Sequence, residues 1–343
     1  MEKKRINLAL QGGGAHGAFT WGVIDRLLEE EALEICAISG TSAGALNGAA
    51  FKSGWVEGGR EGARAALDWL WGQMGAIDDE RMPPWMTGWM PQGLFGTGVM
   101  STAPEYSLPV AMSDALARVM SPYAYGPFYS NPLRRVVDKF AYDKVCAAQP
   151  PFLSVCATNV RSGKIRVFEG EAIGADALLA SACLPTIFQA VEIDSEFYWD
   201  GGYTGNPALF PLYLPELPAD IVIVNINPLD RPDLPRSPQE IQNRINEISF
   251  NSSLLRELRA IDFVQRLLDA GRVDDSSMKR LLVHMIADDA LMAELSVATK
   301  LAPNPYLLSR LKSAGRVAAD SFLAAHWDDL GNRGSTDLRA MFA

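Results

Sequence analysis

The sequence predicts an α/β protein, a mostly parallel sheet with helices on its faces. Two observations carry this. The first fifty residues spell strand, glycine-rich turn, helix, strand, turn, helix, the alternation that builds parallel sheets. Far downstream, Ile221-Val222-Ile223-Val224-Asn225-Ile226 is a continuous apolar run, as expected of a central strand covered on both faces.

Taken in order, residues 6–10 read as the first strand and residues 11–17 as a glycine-rich turn. From Ala18 onward, Phe19, Val23, Ile24, Leu27 and Leu28 recur at helical spacing. Ile35-Cys36-Ala37-Ile38 reads as a buried strand, and the small apolar residues 43–51 as a helix packed closely on the sheet. Ser53-Gly54-Trp55 is expected to open a connection, with residues 64–71 helical. Residues 72–131 then form an irregular insertion dense in Pro, Gly, Met and aromatics, where proline interrupts any long helix. It reads as a lid whose apolar residues shape an acyl pocket or touch a lipid surface, or as an insertion that only packs on the body. Residues 152–157 and 164–168 look like strands, joined by a hairpin across residues 159–163. Residues 175–182 make a small-residue helix, and Phe197-Tyr198-Trp199 lead into Asp200-Gly201-Gly202.

The last third reads as mainly helical. Ser237-Pro238-Gln239-Glu240 carries an N-cap serine, proline at the first helical position and glutamate at the third. An apolar stripe continues through Ile241, Ile245, Ile248, Leu255, Leu258, Ile261, Leu267 and Leu268 until Gly271. Residues 281–286 read as one more strand, and Asn304-Pro305 starts a final helix.

A formal net charge of −10 argues against a nucleic-acid partner, which needs basic patches, and gives no electrostatic help toward anionic membranes. Cys36, Cys146, Cys156 and Cys183 are scattered in apolar surroundings and form no C-x-x-C pair. Buried free thiols in a reducing compartment are expected, with no metal site. The apolar stretch after the basic start ends at Gln11, too short for a signal core, and no run approaches the roughly 20 residues of a membrane helix. The expectation is a cytoplasmic protein that needs no cofactor, with peripheral contact to a membrane or lipid surface left open. Oligomeric state is not readable.

Three stretches bear on chemistry. Gly40-Thr41-Ser42-Ala43-Gly44 fits G-x-S-x-G between a strand and a helix, a turn that projects a serine hydroxyl outward above a helix N-terminus. Gly12-Gly13-Gly14-Ala15-His16-Gly17 exposes bare backbone N–H groups that can hold an oxyanion or a phosphate. Gly12, Gly14 and Gly17 also fit G-x-G-x-x-G, with Glu34 as the acidic residue of a dinucleotide site, but that reading leaves Ser42 unexplained. Asp200-Gly201-Gly202 follows an apolar segment and can present a carboxylate at a strand end, although Asp-Gly is also a strong turn signal. Of the three histidines, His16 lies in the glycine turn, His284 in a strand and His326 on the last helix beside Trp327. None has the setting of a triad base, which leaves a carboxylate acting directly on the serine, its basicity raised by burial near Tyr198 and Trp199.

The chain resembles the patatin-like phospholipase family in the glycine turn, the G-x-S-x-G, the D-G-G and the block Ala180-Ser181-Ala182-Cys183-Leu184-Pro185-Thr186-Ile187-Phe188 ahead of it. Order and spacing agree over roughly residues 5–230. The resemblance implies a three-layer α/β/α catalytic domain over residues 1–230 and a mainly helical extension over 231–343 packed on it. It implies a Ser-Asp dyad hydrolase acting on lipid esters without metal. Ser42 would be the nucleophile and Asp200 the base. Amides among Gly12, Gly13, Gly14 and Ala43 would form the oxyanion hole, with Gly17, Gly40, Gly44, Gly201 and Gly202 as motif glycines. The family often has arginine where this chain has His16, which adds positive charge only when protonated. A thioester or polyhydroxyalkanoate-like substrate on the same dyad, and a non-catalytic lipid-binding protein on this scaffold, are the alternatives.

Overall fold

The computed structural model describes residues 3–80, 121–185, 187–231, 233–274, 277–295, 299–300 and 303–342. The Met- and Trp-rich core of the expected lid lies outside them. The elements that position the site are β1 (Lys4–Leu10), α1 (Gly17–Leu27), β2 (Leu33–Thr41), α2 (Ala43–Glu80), β3 (Phe152–Asn159), β4 (Ile165–Glu169), α3 (Ala175–Ser181), β5 (Val191–Ile193), β6 (Glu196–Asp200), β7 (Asp220–Asn225), α4 (Pro238–Asp269), β8 (Leu282–Ala287) and α5 (Pro305–His326).

They form one sheet in the order β5-β6-β3-β2-β1-β7-β8, with β4 also paired to β3. The pairs β1–β2, β1–β7, β2–β3 and β7–β8 are parallel, and those of β4, β5 and β6 are antiparallel. Alternate residues feed separate cores, as the two-residue period of a strand requires. Leu8, Leu10, Val222 and Val224 join a core with α1, α2, α3 and α5, whereas Ala9, Ile221 and Ile223 join another with Leu254, Leu258 and Ile261 of α4. The result is three layers, helix over sheet over helix, as the resemblance implies.

Three local expectations change. The helix after Ser42 runs through Ser53-Gly54-Trp55, and its break falls at Gly58 and Gly59, where φ is −146° and +60°. Gly54 does not end the helix, because its missing side chain instead lets the backbone of Gly62 come close. The stripe expected on α4 is core only in its second half. Ile241, Ile245 and Ile248 are exposed, and the inward side of that first half buries Glu247 and Asn251. Strand β5 has no counterpart in the sequence reading. It is three residues long and turns into β6 through Asp194 and Ser195, both at positive φ without a glycine to signal the turn.

The last third is joined to this frame on both sides. Strand β8 extends the sheet beside β7. Helix α5 crosses α1 at two glycines, Gly22 and Gly315, each pressed against the carbonyl of a residue on the other helix. Arg316 and Arg64 share Asp25 and Glu29, tying α5 and α2 to α1.

Candidate active site

The site forms along one edge of β3. Strand β2 pairs with β3 up to Thr41 opposite Cys156, and β6 pairs with the next position, Asp200 opposite Ala157. Strand β4 runs along residues 154–158 and overlaps both partners, so it occupies the opposite edge. Strands β2 and β6 therefore lie end to end on one edge, and the residue after Thr41 meets Asp200.

That residue is Ser42, alone between β2 and α2, with φ +54°. A non-glycine residue in this region carries strain of about 1 kcal/mol or more, the sign of a sharp elbow. Its amide donates to Ser181 Oγ at 2.9 Å, which anchors the elbow to the end of α3. The neighbouring amide of Ala43 begins α2 and so lacks an intrahelical acceptor.

Asp200 is 1% exposed. Its Oδ1 accepts from the Gly202 amide at 2.8 Å, its carbonyl from Thr158 Oγ1 at 2.8 Å, and its own amide donates to the Cys183 carbonyl at 2.7 Å. Burial raises its pKa to about 7, and the Gly202 amide and the Ser42 hydroxyl only partly oppose this.

The glycine turn lies against the elbow. A Cβ on Gly12 would come within 2.7 Å of the Ser42 Cβ, so only glycine fits. The Gly12 amide donates to Asn206 Oδ1 at 2.6 Å, which removes it from the oxyanion donors expected from the sequence. Gly14 has φ +59° and opens a short 3-10 turn, whose first amides have no partner within the turn. The other motif glycines answer to space. Side chains at Gly17, Gly40, Gly44 and Gly201 would strike Ala43, Gly44, the Leu10 carbonyl and the Cys156 carbonyl, and one at Gly202 would strike the Phe250 ring from α4.

The histidines stand apart from this pair. His16 is buried, its Nε2 is 2.7 Å from Thr299 Oγ1, and burial, then Lys300 and Arg231, hold its pKa well below 6.5. It is neutral at physiological pH and supplies no positive charge to the turn. His284 bonds Asp220 and Ser335, each at 3.0 Å, inside the core. His326 bonds Asp329 at 2.8 Å on the last helix. Glu34 sits at the start of β2, the wrong end for a dinucleotide ribose, which lies beyond the carboxyl ends of the strands.

The patatin-like phospholipase family model matches residues 8–213, which span the elbow, the glycine turn and the D-G-G. The chain belongs to the patatin-like phospholipase family. It is accordingly a lipid acyl hydrolase. Among solved structures it is similar to VipD from Legionella pneumophila, at 14% identity and TM-score 0.42, covering 94% of this chain and 67% of that one. It is also similar to ExoU of the Pseudomonas aeruginosa type III secretion system, solved in complex with SpcU. There the identity is 15%, the TM-score 0.34, and the coverage 93% of this chain and 53% of that one. No curated protein matches it in sequence.

Around the patatin-like motifs lies a buried polar scaffold that sequence reading missed. Gln11 Oε1 accepts from the amides of Ile226 and Asn227 and from Asn227 Nδ2, at 2.9, 3.1 and 3.0 Å. Gln11 Nε2 reaches the Asn206 carbonyl and Asn251 Oδ1, both at 3.3 Å. Asn227 Nδ2 donates to the Gly12 carbonyl at 2.8 Å. The only sequence signal was polar residues where apolar strands end, and many such residues simply face solvent. Among the described residues no helix is long and apolar enough to cross a membrane.

Proposed function

We propose that this patatin-like protein hydrolyses lipid carboxylic esters, of the phospholipase A, lysophospholipase or esterase type, through Ser42 and Asp200. The observation that carries the reading is the buried carboxylate of Asp200 brought by β6 to a serine on a strained strand-to-helix elbow, where burial pushes its pKa up to about 7. A base poised near neutral pH combines an ionised fraction with enough proton affinity to activate an alcohol.

Ser42 Oγ attacks the ester carbonyl carbon as its proton passes to Asp200. The carbonyl oxygen becomes an oxyanion, held by the amides of Gly13, Gly14 and Ala43, each such donor being worth about 10²–10³ in rate. The tetrahedral intermediate collapses, the C–O bond to the alcohol breaks, and Asp200 returns its proton to the leaving oxygen. Water then attacks the acyl-Ser42 carbonyl and gives its proton to Asp200. The second collapse frees the carboxylic acid and returns the proton to Ser42. The α2 N-terminus favours the negative charge in both steps.

A fluorophosphonate probe should label Ser42, and a screen over phospholipids, lysolipids, p-nitrophenyl esters and acyl-thioesters should give turnover that Asp200→Asn removes. A folded protein that neither labels nor turns over any of these would instead be a lipid-binding protein on a hydrolase scaffold.

A further inference from the structure

Outside the Ser42–Asp200 pair, one partly buried charge has no role in the chemistry above. Lys300 Nζ donates to Asn227 Oδ1 at 2.7 Å. Among the described residues its hydrogen-bond partner is thus a neutral carboxamide and not a carboxylate. Desolvation pulls its pKa down to about 8, and the charge of Glu247 only partly restores it. Holding an ammonium ion in such a place costs free energy, and a mere structural tie between two chain segments would not need the charge.

The far side of Asn227 explains what the charge does. The ammonium takes Oδ1, so Nδ2 must be the end that donates to the Gly12 carbonyl at 2.8 Å. A trans peptide points its C=O and N–H in opposite directions, so holding the Gly12 carbonyl sets the direction of the Gly13 N–H. The other side of Gly12 is pinned by Asn206. The carbonyl of Lys300 itself presses on Gly14, leaving no room there for a side chain, and Thr299 beside it holds His16. The segment carrying Lys300 therefore touches the glycine turn directly at Gly14 and His16 and reaches Gly12 through Asn227.

We propose that Lys300 is a positioning residue of the acyl-transfer site, whose ammonium acts through the Asn227 carboxamide to orient the Gly13 amide toward the oxyanion and to add positive charge behind it. This rests on the reading of Ser42 as nucleophile. A cation on the acceptor end of an amide also polarises its N–H donors, so the chain Lys300, Asn227, Gly12 strengthens as a unit. The other charged or titratable groups facing Lys300 are Arg231 and Glu247, which pair with each other at 2.6 Å, and His16, already neutral at physiological pH. Asp200 near pH 7 and Lys52 near pH 8 also titrate close to this range, so an alkaline decline is assigned to Lys300 only by its loss in Lys300→Met.

The test uses the full chain with p-nitrophenyl butyrate and a fluorophosphonate probe. Lys300→Met should lower kcat about tenfold or more with KM changed less than about threefold, because the donor it orients acts on the transition state. Lys300→Arg should recover part of the loss. Wild-type activity should decline above pH 8, and Lys300→Met should lose that decline while keeping the acid limb near pH 7. Lys300→Met and Asn227→Ala together should cost no more than the worse of the two alone. A kcat within twofold of wild type in a folded Lys300→Met protein would overturn the proposal. So would a wild-type profile flat to pH 9.5, which needs no variant to fold. A wild type that neither labels nor turns over would sink the nucleophile assignment itself, a result distinct from either of these.

Discussion

The Ser42 amide donates to Ser181 Oγ at 2.9 Å, so the elbow at the end of β2 is held by a hydroxyl from the end of α3. Ser42 sits at positive φ, and a strained residue keeps its conformation only while its surroundings over-determine it. Ser181→Ala removes that acceptor. Activity toward p-nitrophenyl butyrate should fall roughly ten- to a hundredfold, since small misplacements of the proposed nucleophile would be costly. Stability should fall by only about 1–3 kcal/mol, the cost of one unsatisfied buried amide, as measured by urea denaturation.

Asp200 links activity and stability with opposite signs. In the proposed mechanism Asp200 acts as base only when ionised, so kcat/KM should fall as pH drops through about 7. Its folded pKa lies above the unfolded value, so the unfolded chain ionises first. Its stability contribution is complete below about pH 4 and is lost as pH rises through about 7. Above pH 7 the ionised, desolvated carboxylate opposes folding, by at most about 4 kcal/mol. Asp200→Asn should abolish turnover and raise Tm at pH 8, with a smaller gain at pH 5. A variant less stable than wild type at pH 8 would contradict this account of the burial.

The histidine variants separate a dyad from a triad. His326→Ala removes a half-buried contact to Asp329, which keeps Arg333, and should leave activity per folded molecule unchanged with only a small fall in Tm. His284→Ala leaves Asp220 in the core with only the Gly331 amide on the oxygen it shared, and should cost about 3 kcal/mol. The fraction that remains folded should hydrolyse ester at the wild-type rate. Loss of turnover per folded molecule in either variant would bring a histidine back into the mechanism.

The crossing of α1 and α5 at Gly22 and Gly315 should tolerate no side chain. A Cβ at either position meets carbonyl oxygen of the opposite helix, which cannot move as a flexible side chain can. Gly315→Val should lower stability by about 1–3 kcal/mol or more, read as a shift in the urea midpoint. A midpoint unchanged from wild type would mean that the two helices are not held at this distance.

How much of this was legible in advance follows from the range of each interaction. The capping box at Ser237 and Glu240 is local, and it forms as its four residues predict. So do the β3–β4 hairpin and the asparagine cap ahead of Pro305. The first half of α4 misled, because hydrophobic spacing says which face a helix could bury and not whether a partner waits there. Ile241, Ile245 and Ile248 kept the period and stayed exposed, while Glu247 turned inward to Arg231.

The sequence by itself determined the parts: a glycine turn, a serine between strand and helix, an aspartate at a strand end, and too few well-placed histidines for a triad. Only the tertiary structure decided their relation. Thr41 and Asp200 take successive places on one edge of β3, a pairing between distant segments that no local preference encodes. The same folding withdrew the Gly12 amide, neutralised His16, and brought Lys300 from the far end of the chain to the back of the turn. The physical reason is desolvation. A charge or an amide acquires its chemical character from what excludes water around it, and that is assembled only when distant segments close together.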